Sequence, residues 1–281
     1  MSSDPVLEQL VQIAAEAASV VAQVYAEPFS VDYKGPADPV TAADRQANAL
    51  ICKRLNEAFP GVPVVAEESP EAEWASFRDF ERIFFVDPVD GTREFVAKNG
   101  EFAVMIGMVE GNVATRGVIH APALGLAWAG SPTGGAFEID AQGARRPLRV
   151  GDVTRIGDAR VVASRSHRGR LLEQSLEHLS AGQVVHLGSA GLKGVAIARQ
   201  IADIYLVPRH AGSLWDACAP DAIVRAAGGT FTDVHGRVID YRSAQLENNR
   251  GVIAANPELH GTVVAHMSTL LTDSSVRESR E

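Results

Sequence analysis

The sequence contains very little cysteine, with only Cys52 and Cys218 among 281 residues. Two cysteines cannot build a disulfide framework, and both lie in helix-like segments where a small buried thiol is the expected role. Long hydrophobic runs are also missing, because Glu8 and Glu16 interrupt the longest apolar segment well short of a membrane span. The first residues lack the basic start and apolar core of a signal peptide. These absences predict a cytoplasmic protein with no membrane span.

Positive charge is scarce as well. The chain has 26 Lys and Arg against 35 Asp and Glu, which gives a formal net charge of -9. This balance argues against the broad basic face that a nucleic-acid polymer or an anionic membrane would need. A small anionic substrate is still compatible with it, because carboxylates that hold cations can create a locally positive site.

The order of apolar segments predicts an α/β (α+β) protein in two parts. Two helix-like segments are followed by short apolar runs separated by Gly-rich turns, which indicate hairpins of an antiparallel or mixed sheet. From about residue 160, strand-like and helix-like segments alternate. We therefore expect an N-terminal α+β domain with a metal-binding loop over residues 1–155. A C-terminal α/β domain over residues 156–281 would contribute Asp216 and a substrate pocket.

The segment 87–91 carries the strongest sign of chemistry. It follows the apolar run 83–86, which has the length and β-propensity of a buried strand. Its proline lacks a backbone donor and its glycine favours a tight turn, so Asp87 and Asp90 can face one point. Two close carboxylates repel each other unless a cation lies between them, and with the Val89 carbonyl they suit Mg²⁺. The same residues are also common in ordinary surface turns.

Further acids follow strands or begin helices. Glu67 and Glu68 come directly after the apolar run 62–66. If the strand persists through them, only one of the two should face the site, because adjacent strand residues point to opposite faces, and Glu67 is preferred. Asp44 and Asp216 begin helix-like segments, where an acid is favoured by the helix dipole or as a cap. Taken singly, capping is the simpler explanation for both.

Three motifs and Asp44 together resemble the inositol monophosphatase superfamily of metal-dependent, lithium-sensitive phosphatases. The motifs, in chain order, are Ala66-Glu67-Glu68-Ser69, Asp87-Pro88-Val89-Asp90-Gly91-Thr92 and Trp215-Asp216-Ala217-Cys218-Ala219. Each is weak alone, but three in register over nearly the whole chain make a chance match improbable. The resemblance implies a layered αβαβα fold of the sugar-phosphatase type.

Within the superfamily, the chain is similar to the CysQ-type nucleotidases, the branch that dephosphorylates adenosine 3',5'-bisphosphate. This similarity lies in residues 90–95 and 99–102, and in Ser164-Arg165-Ser166-His167 with residues 188–193 after it. Segment 210–214 departs from the pattern usual in that branch. The departure borders the substrate's leaving group, so it affects the identity of the substrate more than catalysis.

The resemblance implies a phosphoric monoester hydrolase that holds two or three Mg²⁺ ions. The implied metal ligands are Glu67, Asp87, the Val89 carbonyl, Asp90 and Asp216. Asp44, Glu67 and Thr92 are the candidate catalytic residues, and the Thr92 hydroxyl, hydrogen-bonded to Asp44, can orient the attacking water. The implied substrate contacts are Gly91, Thr92, Ser164, Arg165, His167, Lys193 and Asp216. Li⁺ would replace a weakly held ion near Asp44.

The predicted reaction is hydrolysis of the 3'-phosphate of adenosine 3',5'-bisphosphate to AMP and phosphate. A phosphatase for inositol phosphates or other small sugar phosphates is one alternative, since it needs the same acids without a base pocket. A catalytically idle protein that binds phosphorylated ligands is another. His120 and His210 have no acid or cysteine at ligand spacing and are predicted to be structural. The superfamily includes both monomers and dimers, so the sequence is compatible with a homodimer.

Overall fold

Two capped helices begin the fold in the computed structural model, which describes residues 4–35, 38–166 and 168–278. Helix α1 (Pro5–Ala26) is capped by Asp4, whose carboxylate accepts a hydrogen bond from Leu7 N at 3.1 Å. Helix α2 (Ala42–Ala58) starts with a capping box between Thr41 and Asp44. The strands β1 (Val31–Gly35) and β2 (Asp38–Thr41) form an antiparallel hairpin between the two helices. Both predicted N-terminal helices are therefore confirmed.

The first sheet has seven strands and is built mainly from hairpins. In spatial order these are β3 (Val64–Ala66), β4 (Arg82–Asp90), β5 (Ala103–Glu110), β6 (Val113–Ala121), β7 (Leu126–Ser131), β8 (Gly135–Asp140) and β9 (Arg145–Leu148). Only β3 and β4 pair in parallel, and the remaining neighbours are antiparallel. The mixed sheet expected from the Gly-rich turns is confirmed.

Strand β4 is longer than the run 83–86 from which it was predicted. It continues to Asp90, but its register with β5 is irregular between Asp87 and Asp90. Pro88 lies inside this irregular stretch and has no N–H to donate, so the ladder is interrupted there and resumes at Asp90. The irregularity places both acids at the end of a buried strand.

The second sheet belongs to the C-terminal half. Its strands are β10 (Arg160–Ser164), β11 (Gln183–Leu187), β12 (Ile204–Val207), β13 (Thr230–Thr232) and β14 (Val252–Ala255). Strand β10 lies between β11 and β12 and is parallel to both, whereas β14 is antiparallel to β12 and β13. The remaining helices are α3 (Thr92–Val96), α4 (Arg170–Leu179), α5 (Ala190–Ala198), α6 (Leu214–Ala226) and α7 (Pro257–Glu278).

The two sheets and the helices form five layers. Phe84 and Val86 of β4 pack against the apolar stripes of α1 and α2, whereas Phe85, which points the other way, packs with Cys218 of α6. Beyond α5 and α6 lies the second sheet, whose outer face packs against α7 through Ile204 and neighbouring residues. The order is thus helices, sheet, helices, sheet, helices, and the αβαβα fold is confirmed. Among the described helices, none is both long enough and apolar enough to cross a bilayer.

A row of three glycines brings α6 close to the first sheet. Gly107 on β5, Gly117 on β6 and Gly130 on β7 are direct neighbours in register. A Cβ at Gly107 would lie 2.5 Å from Cys218 Sγ, and one at Gly117 would lie 2.3 Å from the Ala219 carbonyl oxygen. Side chains there would therefore push the helix away. Because Asp216 lies in the first turn of α6, these glycines help to set its distance from β4.

Arg160, the first residue of β10, forms an ion pair with Asp203 outside the cluster of acids on β4. Asp203 accepts hydrogen bonds from Arg160 Nε at 2.9 Å, from Arg160 Nη2 at 3.0 Å and from Arg160 N at 2.9 Å. Burial alone would raise the pKa of Asp203, but the hydrogen bonds from Arg160 outweigh it and hold this pKa below its ordinary value. The pair therefore stabilises the fold where Asp203 is charged.

Asp203→Asn is expected to lower the stability by about 1–2 kcal/mol at pH 7, since Arg160 is only partly buried. The folded state lowers this pKa, so the contribution is present above the unfolded-state pKa and disappears as the pH falls through the folded-state value. Denaturant unfolding of both proteins should show a difference that shrinks below about pH 4. A difference that grows on acidification would contradict the assignment.

Candidate active site

A cavity of about 670 Å³ opens where β4 ends and α6 begins. Nine of the residues predicted from the sequence line it: Glu67, Asp87, Val89, Asp90, Gly91, Thr92, Ser164, Lys193 and Asp216. They come from both sheets and from helices α3, α5 and α6. The fold therefore brings together segments that are up to about 150 residues apart in the chain.

Asp87, Asp90 and Asp216 form the centre of this cavity. Each offers a carboxylate oxygen, and the three oxygens all lie within 4.8 Å of one another. Asp87 and Asp90 are buried at the end of β4, and Asp216 is the third residue of α6. The Asp216 carboxylate also accepts a hydrogen bond from Ser213 N at 2.6 Å, so it is a helix cap as well as a member of the cluster.

The cluster is electrostatically strained as a set of charged groups. Burial raises the pKa of Asp87 well above its ordinary value, and repulsion from Glu67, Asp90 and Asp216 raises it further. Burial and repulsion from Asp90 likewise raise the pKa of Asp216. Converging carboxylate oxygens of this kind match the ligand preference of a hard divalent cation, which would relieve the repulsion. The donor set therefore fits Mg²⁺.

Asp90 is oriented by the start of α5. Its Oδ1 accepts a hydrogen bond from Ala190 N at 3.0 Å, its Oδ2 accepts one from Gly191 N at 2.7 Å, and the Ser189 hydroxyl also donates to Oδ2. An acid at a helix N-terminus is favoured by the free amides and the helix dipole. The position of α5 therefore fixes the rotamer of Asp90.

Asp44 and Thr92 meet beside the cluster. Thr92 Oγ1 lies 3.2 Å from Asp44 Oδ1 and 3.0 Å from the Val89 carbonyl oxygen, so its hydroxyl can donate to either. Asp44 Oδ2 accepts hydrogen bonds from Thr41 N and Thr41 Oγ1 at 2.8 and 2.7 Å. Burial raises the pKa of Asp44 despite these donors. Asp44 does not line the cavity itself and reaches it through Thr92.

Glu67 has a cationic partner that the sequence did not predict. Lys34 Nζ, on strand β1, lies 3.0 Å from Glu67 Oε1 and 2.5 Å from Glu68 Oε1. Burial alone would lower the pKa of Lys34, but the two glutamates raise it. Glu67 lines the cavity and Glu68 does not. Strand β3 ends at Ala66, so alternation along a strand does not explain this difference, and both glutamates contact Lys34.

Of the predicted substrate contacts, some line the cavity and others do not. Gly91 has a φ of +90°, which favours glycine, and a Cβ there would lie 2.9 Å from the Glu101 carbonyl oxygen. Lys193 is buried, lines the cavity and donates from Nζ to the Ser189 carbonyl oxygen at 2.7 Å. Arg165 lines neither this cavity nor the adjoining one described below, and its Nη2 lies 2.7 Å from Glu101 Oε1. His167 lies outside the described residues.

A second cavity of about 610 Å³ adjoins the first and shares Ser164, Val207 and His210 with it. Its floor is apolar, formed by Leu171, Leu172, Leu206, Val207 and Pro208. Its rim carries Arg168, Arg170 and Arg209. Among the described residues, no acid forms an ion pair with these three arginines. An apolar floor with a cationic rim suits an anionic ligand with an apolar body.

Sequence reasoning missed several residues at the site. His210, expected to be structural, lies at the junction of the two cavities, and its Nδ1 is 2.7 Å from Asn249 Oδ1. A Cβ at Gly212, which has a φ of +69°, would lie 2.3 Å from Asp216 Oδ2. The divergent segment before Trp215 thus keeps a glycine where Asp216 needs room. A glycine four residues before the implied ligand Asp216 could have indicated that Gly212 belongs to the site. Nothing in the sequence indicated that His210 does.

Comparisons with known proteins agree with this geometry. The sequence profile of the inositol monophosphatase family matches residues 2–272. The chain is 36% identical over 256 residues to the 3'(2'),5'-bisphosphate nucleotidase CysQ of Salmonella typhimurium, covering 87% of this chain and 97% of that protein. The solved CysQ of Bacteroides thetaiotaomicron is 27% identical, with a TM-score of 0.74 over 90% of this chain and 97% of that one. The suhB protein of Bartonella henselae is also 27% identical, with a TM-score of 0.80 over 94% and 98%.

Proposed function

The chain belongs to the inositol monophosphatase family, and we propose that it is a Mg²⁺-dependent phosphatase that removes the 3'-phosphate of adenosine 3',5'-bisphosphate. The observation that carries the proposal is the convergence of Asp87, Asp90 and Asp216 in a cavity that also contains the buried Lys193. Acids for a metal and a separate cation for a second phosphate are what a bisphosphorylated substrate requires. The CysQ relatives support the nucleotide as substrate.

The metal-binding side is assigned to the acids of β3, β4 and α6. Glu67, Asp87, Asp90, Asp216 and the Val89 carbonyl would hold two or three Mg²⁺ ions. When bound, these ions would neutralise charge on the phosphoryl group and make hydroxide accessible near neutral pH. The chain supplies the orientation, because Ser213 N fixes Asp216 and the first turn of α5 fixes Asp90.

The water that attacks phosphorus is assigned to Thr92 and Asp44. The Thr92 hydroxyl lies beside the cluster and is within hydrogen-bond distance of the buried Asp44 carboxylate. In this arrangement, the Thr92 hydroxyl donates its hydrogen bond to the Asp44 carboxylate and accepts one from the water, which orients the nucleophile. Gly91 and Thr92 line the cavity, and we assign the cleaved phosphate to the space beside them.

The second cavity favours a nucleotide over inositol 1-phosphate. Adenosine 3',5'-bisphosphate has an aromatic base besides its second phosphate, and the apolar floor next to Ser164 offers room for that base, on which the arginines of the rim can stack. Inositol 1-phosphate has neither group. We assign Lys193 to the second phosphate, and Ser164, which lines both cavities, to the boundary between the cleaved phosphate and the base.

The proposal is tested by comparing phosphate release from adenosine 3',5'-bisphosphate, inositol 1-phosphate and fructose 1,6-bisphosphate, each with and without Mg²⁺. The nucleotide should have the highest kcat/KM, and activity should disappear with EDTA. A clear preference for inositol 1-phosphate would overturn the substrate assignment. Tight nucleotide binding without phosphate release in Mg²⁺ would favour a catalytically idle binding protein.

The Lys193→Met variant tests whether Lys193 binds the second phosphate or the cleaved one. Methionine is close to lysine in length but carries no charge, so we expect KM for adenosine 3',5'-bisphosphate to rise about 10–100-fold, the loss typical of a charged hydrogen bond. KM for adenosine 3'-monophosphate, which lacks the 5'-phosphate, should change much less. Equal losses for both nucleotides would place Lys193 at the cleaved phosphate.

A further inference from the structure

Two acids between residues 94 and 101 connect Gly91 and Thr92, called the phosphate loop below, to the second sheet. Glu94 lies in α3, two residues after Thr92, and is buried, and the Ser166 hydroxyl donates a hydrogen bond to it. Glu101 follows in the loop before β5. Its carboxylate accepts hydrogen bonds from Arg165 Nε and Nη2 at 2.8 and 2.7 Å, and from Gly188 N at 2.6 Å.

Arg165 makes several of the contacts in this connection. Besides its two bonds to Glu101, its Nη2 donates to the His186 carbonyl oxygen at 2.8 Å, and its backbone N donates to the Leu187 carbonyl oxygen at 2.9 Å. The guanidinium therefore links the end of β10 to the end of β11 and to Glu101. This arrangement differs from the substrate contact that the sequence resemblance implied for Arg165.

Gly188 is the point at which the connection reaches the active site. A Cβ on Gly188 would lie 2.4 Å from Glu94 Cγ and 3.1 Å from Glu101 Cβ, so both acids pack directly on this backbone. The next residues are Ser189, Ala190 and Gly191, whose donors hold Asp90. Lys193 follows one turn later and lines the cavity. Anything that holds Gly188 therefore also holds the start of α5.

We propose that Glu101 is a positioning residue of the phosphatase, which acts through Arg165 and the Gly188 N–H to fix the start of α5 relative to the phosphate loop. This inference rests on the proposed function. Glu101 touches no reacting atom in this scheme. Its role is to keep the Asp90-binding donors and the Lys193 amine at a set distance from Thr92, so that both phosphates of the substrate are held at once.

If Glu101 acted only through its charge, removing that charge would lower KM, whereas the positioning role predicts a higher KM. An acid near an anionic substrate repels it, so neutralising Glu101 should strengthen binding if Glu101 has no other role. It would also release Arg165 to contact the substrate. The positioning role predicts weaker binding, because the start of α5 loses its anchor. The direction of the change in KM therefore separates the two explanations.

The test compares Glu101→Gln, Arg165→Gln and the double variant in steady-state kinetics with saturating Mg²⁺. We expect KM for adenosine 3',5'-bisphosphate to rise about tenfold in each single variant, with a smaller change in kcat. The double variant should be no worse than either single variant, since both break the same connection. KM for adenosine 3'-monophosphate should rise less, because that substrate does not need Lys193.

Asp203→Asn is the matched control. Asp203 also accepts two bonds from an arginine of β10 and one from a backbone N–H, but at the opposite end of the strand. The Asp203→Asn variant should be less stable than the wild type but should have an unchanged KM. If Glu101→Gln does not fold, Arg165→Lys keeps the charge but loses the two-pronged contact, and should show the same rise in KM.

Three results would overturn the inference. These are an unchanged or lower KM in Glu101→Gln, losses that add in the double variant, and a rise in KM of the same size in Asp203→Asn. A wild-type protein that releases no phosphate from the bisphosphate would instead refute the proposed function. An active wild type with an unaffected Glu101→Gln variant refutes only the positioning role.

Discussion

Asp87→Asn is expected to remove nearly all phosphatase activity and at the same time to stabilise the metal-free protein. Asp87 is buried and faces Glu67, Asp90 and Asp216, all of which raise its pKa by repulsion in addition to burial. Asparagine keeps the shape, and its Oδ1 can still accept the hydrogen bond that Val89 N donates at 3.0 Å. Without the charge, the cluster repels itself less but binds a cation less well.

The loss of activity should be about a hundredfold to a thousandfold in kcat/KM, the loss typical when one preorganised electrostatic group is removed from a reacting centre. Thermal unfolding in EDTA should show a higher Tm than the wild type, by about 2–4 °C for each kcal/mol of repulsion removed. Addition of Mg²⁺ should raise Tm in the wild type but little in the variant.

Asp203→Asn provides the contrasting control for this prediction, since it removes a buried aspartate that is paired with an arginine. It should lower Tm and leave both the activity and the Mg²⁺ response intact. A lower Tm in metal-free Asp87→Asn would show that Asp87 stabilises the fold as a charged group. That result would contradict the assignment of the cluster as a cation site.

Thr92→Val is expected to reduce kcat by about a hundredfold or more while changing KM little. Valine has the shape of threonine without the hydroxyl, so the variant removes only the group that lies between Asp44 and the cluster. Since the water is oriented for attack rather than for substrate binding, the loss should fall on kcat.

Thr92→Ser is the matched control because it retains the hydroxyl, and it should keep most of the activity. Asp44→Asn should give a loss similar to that of Thr92→Val, and the double variant should lose little more than either. A rise in KM with kcat unchanged would show that Thr92 binds the phosphate and does not orient the water.

Much of the fold could be predicted from local patterns. The two helix-like segments at the start of the chain, the acid Asp44 at a helix start, and the Gly-rich turns between short strands all predicted elements that the structure contains. The acids of the cluster could also be found, because an acid after a strand or at a helix start is unusual when it recurs in several motifs. The C-terminal end of β4 could not be predicted, because the strand continues past Pro88 through its pairing with β5.

The candidate site shows where such reasoning stops. Lys34 pairs with Glu67, 33 residues away, and Arg165 pairs with Glu101, 64 residues away. A basic residue near a motif has the same appearance in the sequence whether it meets a substrate or an acid. The approach of α6 to the first sheet depends in the same way on three glycines from separate strands.

The sequence by itself determined the family and identified the acids that cluster in the cavity, because both rest on short motifs with a fixed chemical meaning, and the resemblance carried by those motifs implied the layered fold. Only the tertiary structure decided which charged side chains face the cavity and which hold its walls. The physical reason is that a charge takes whichever partner the packing of distant elements brings within a few ångströms, and that packing is not a property of any local pattern.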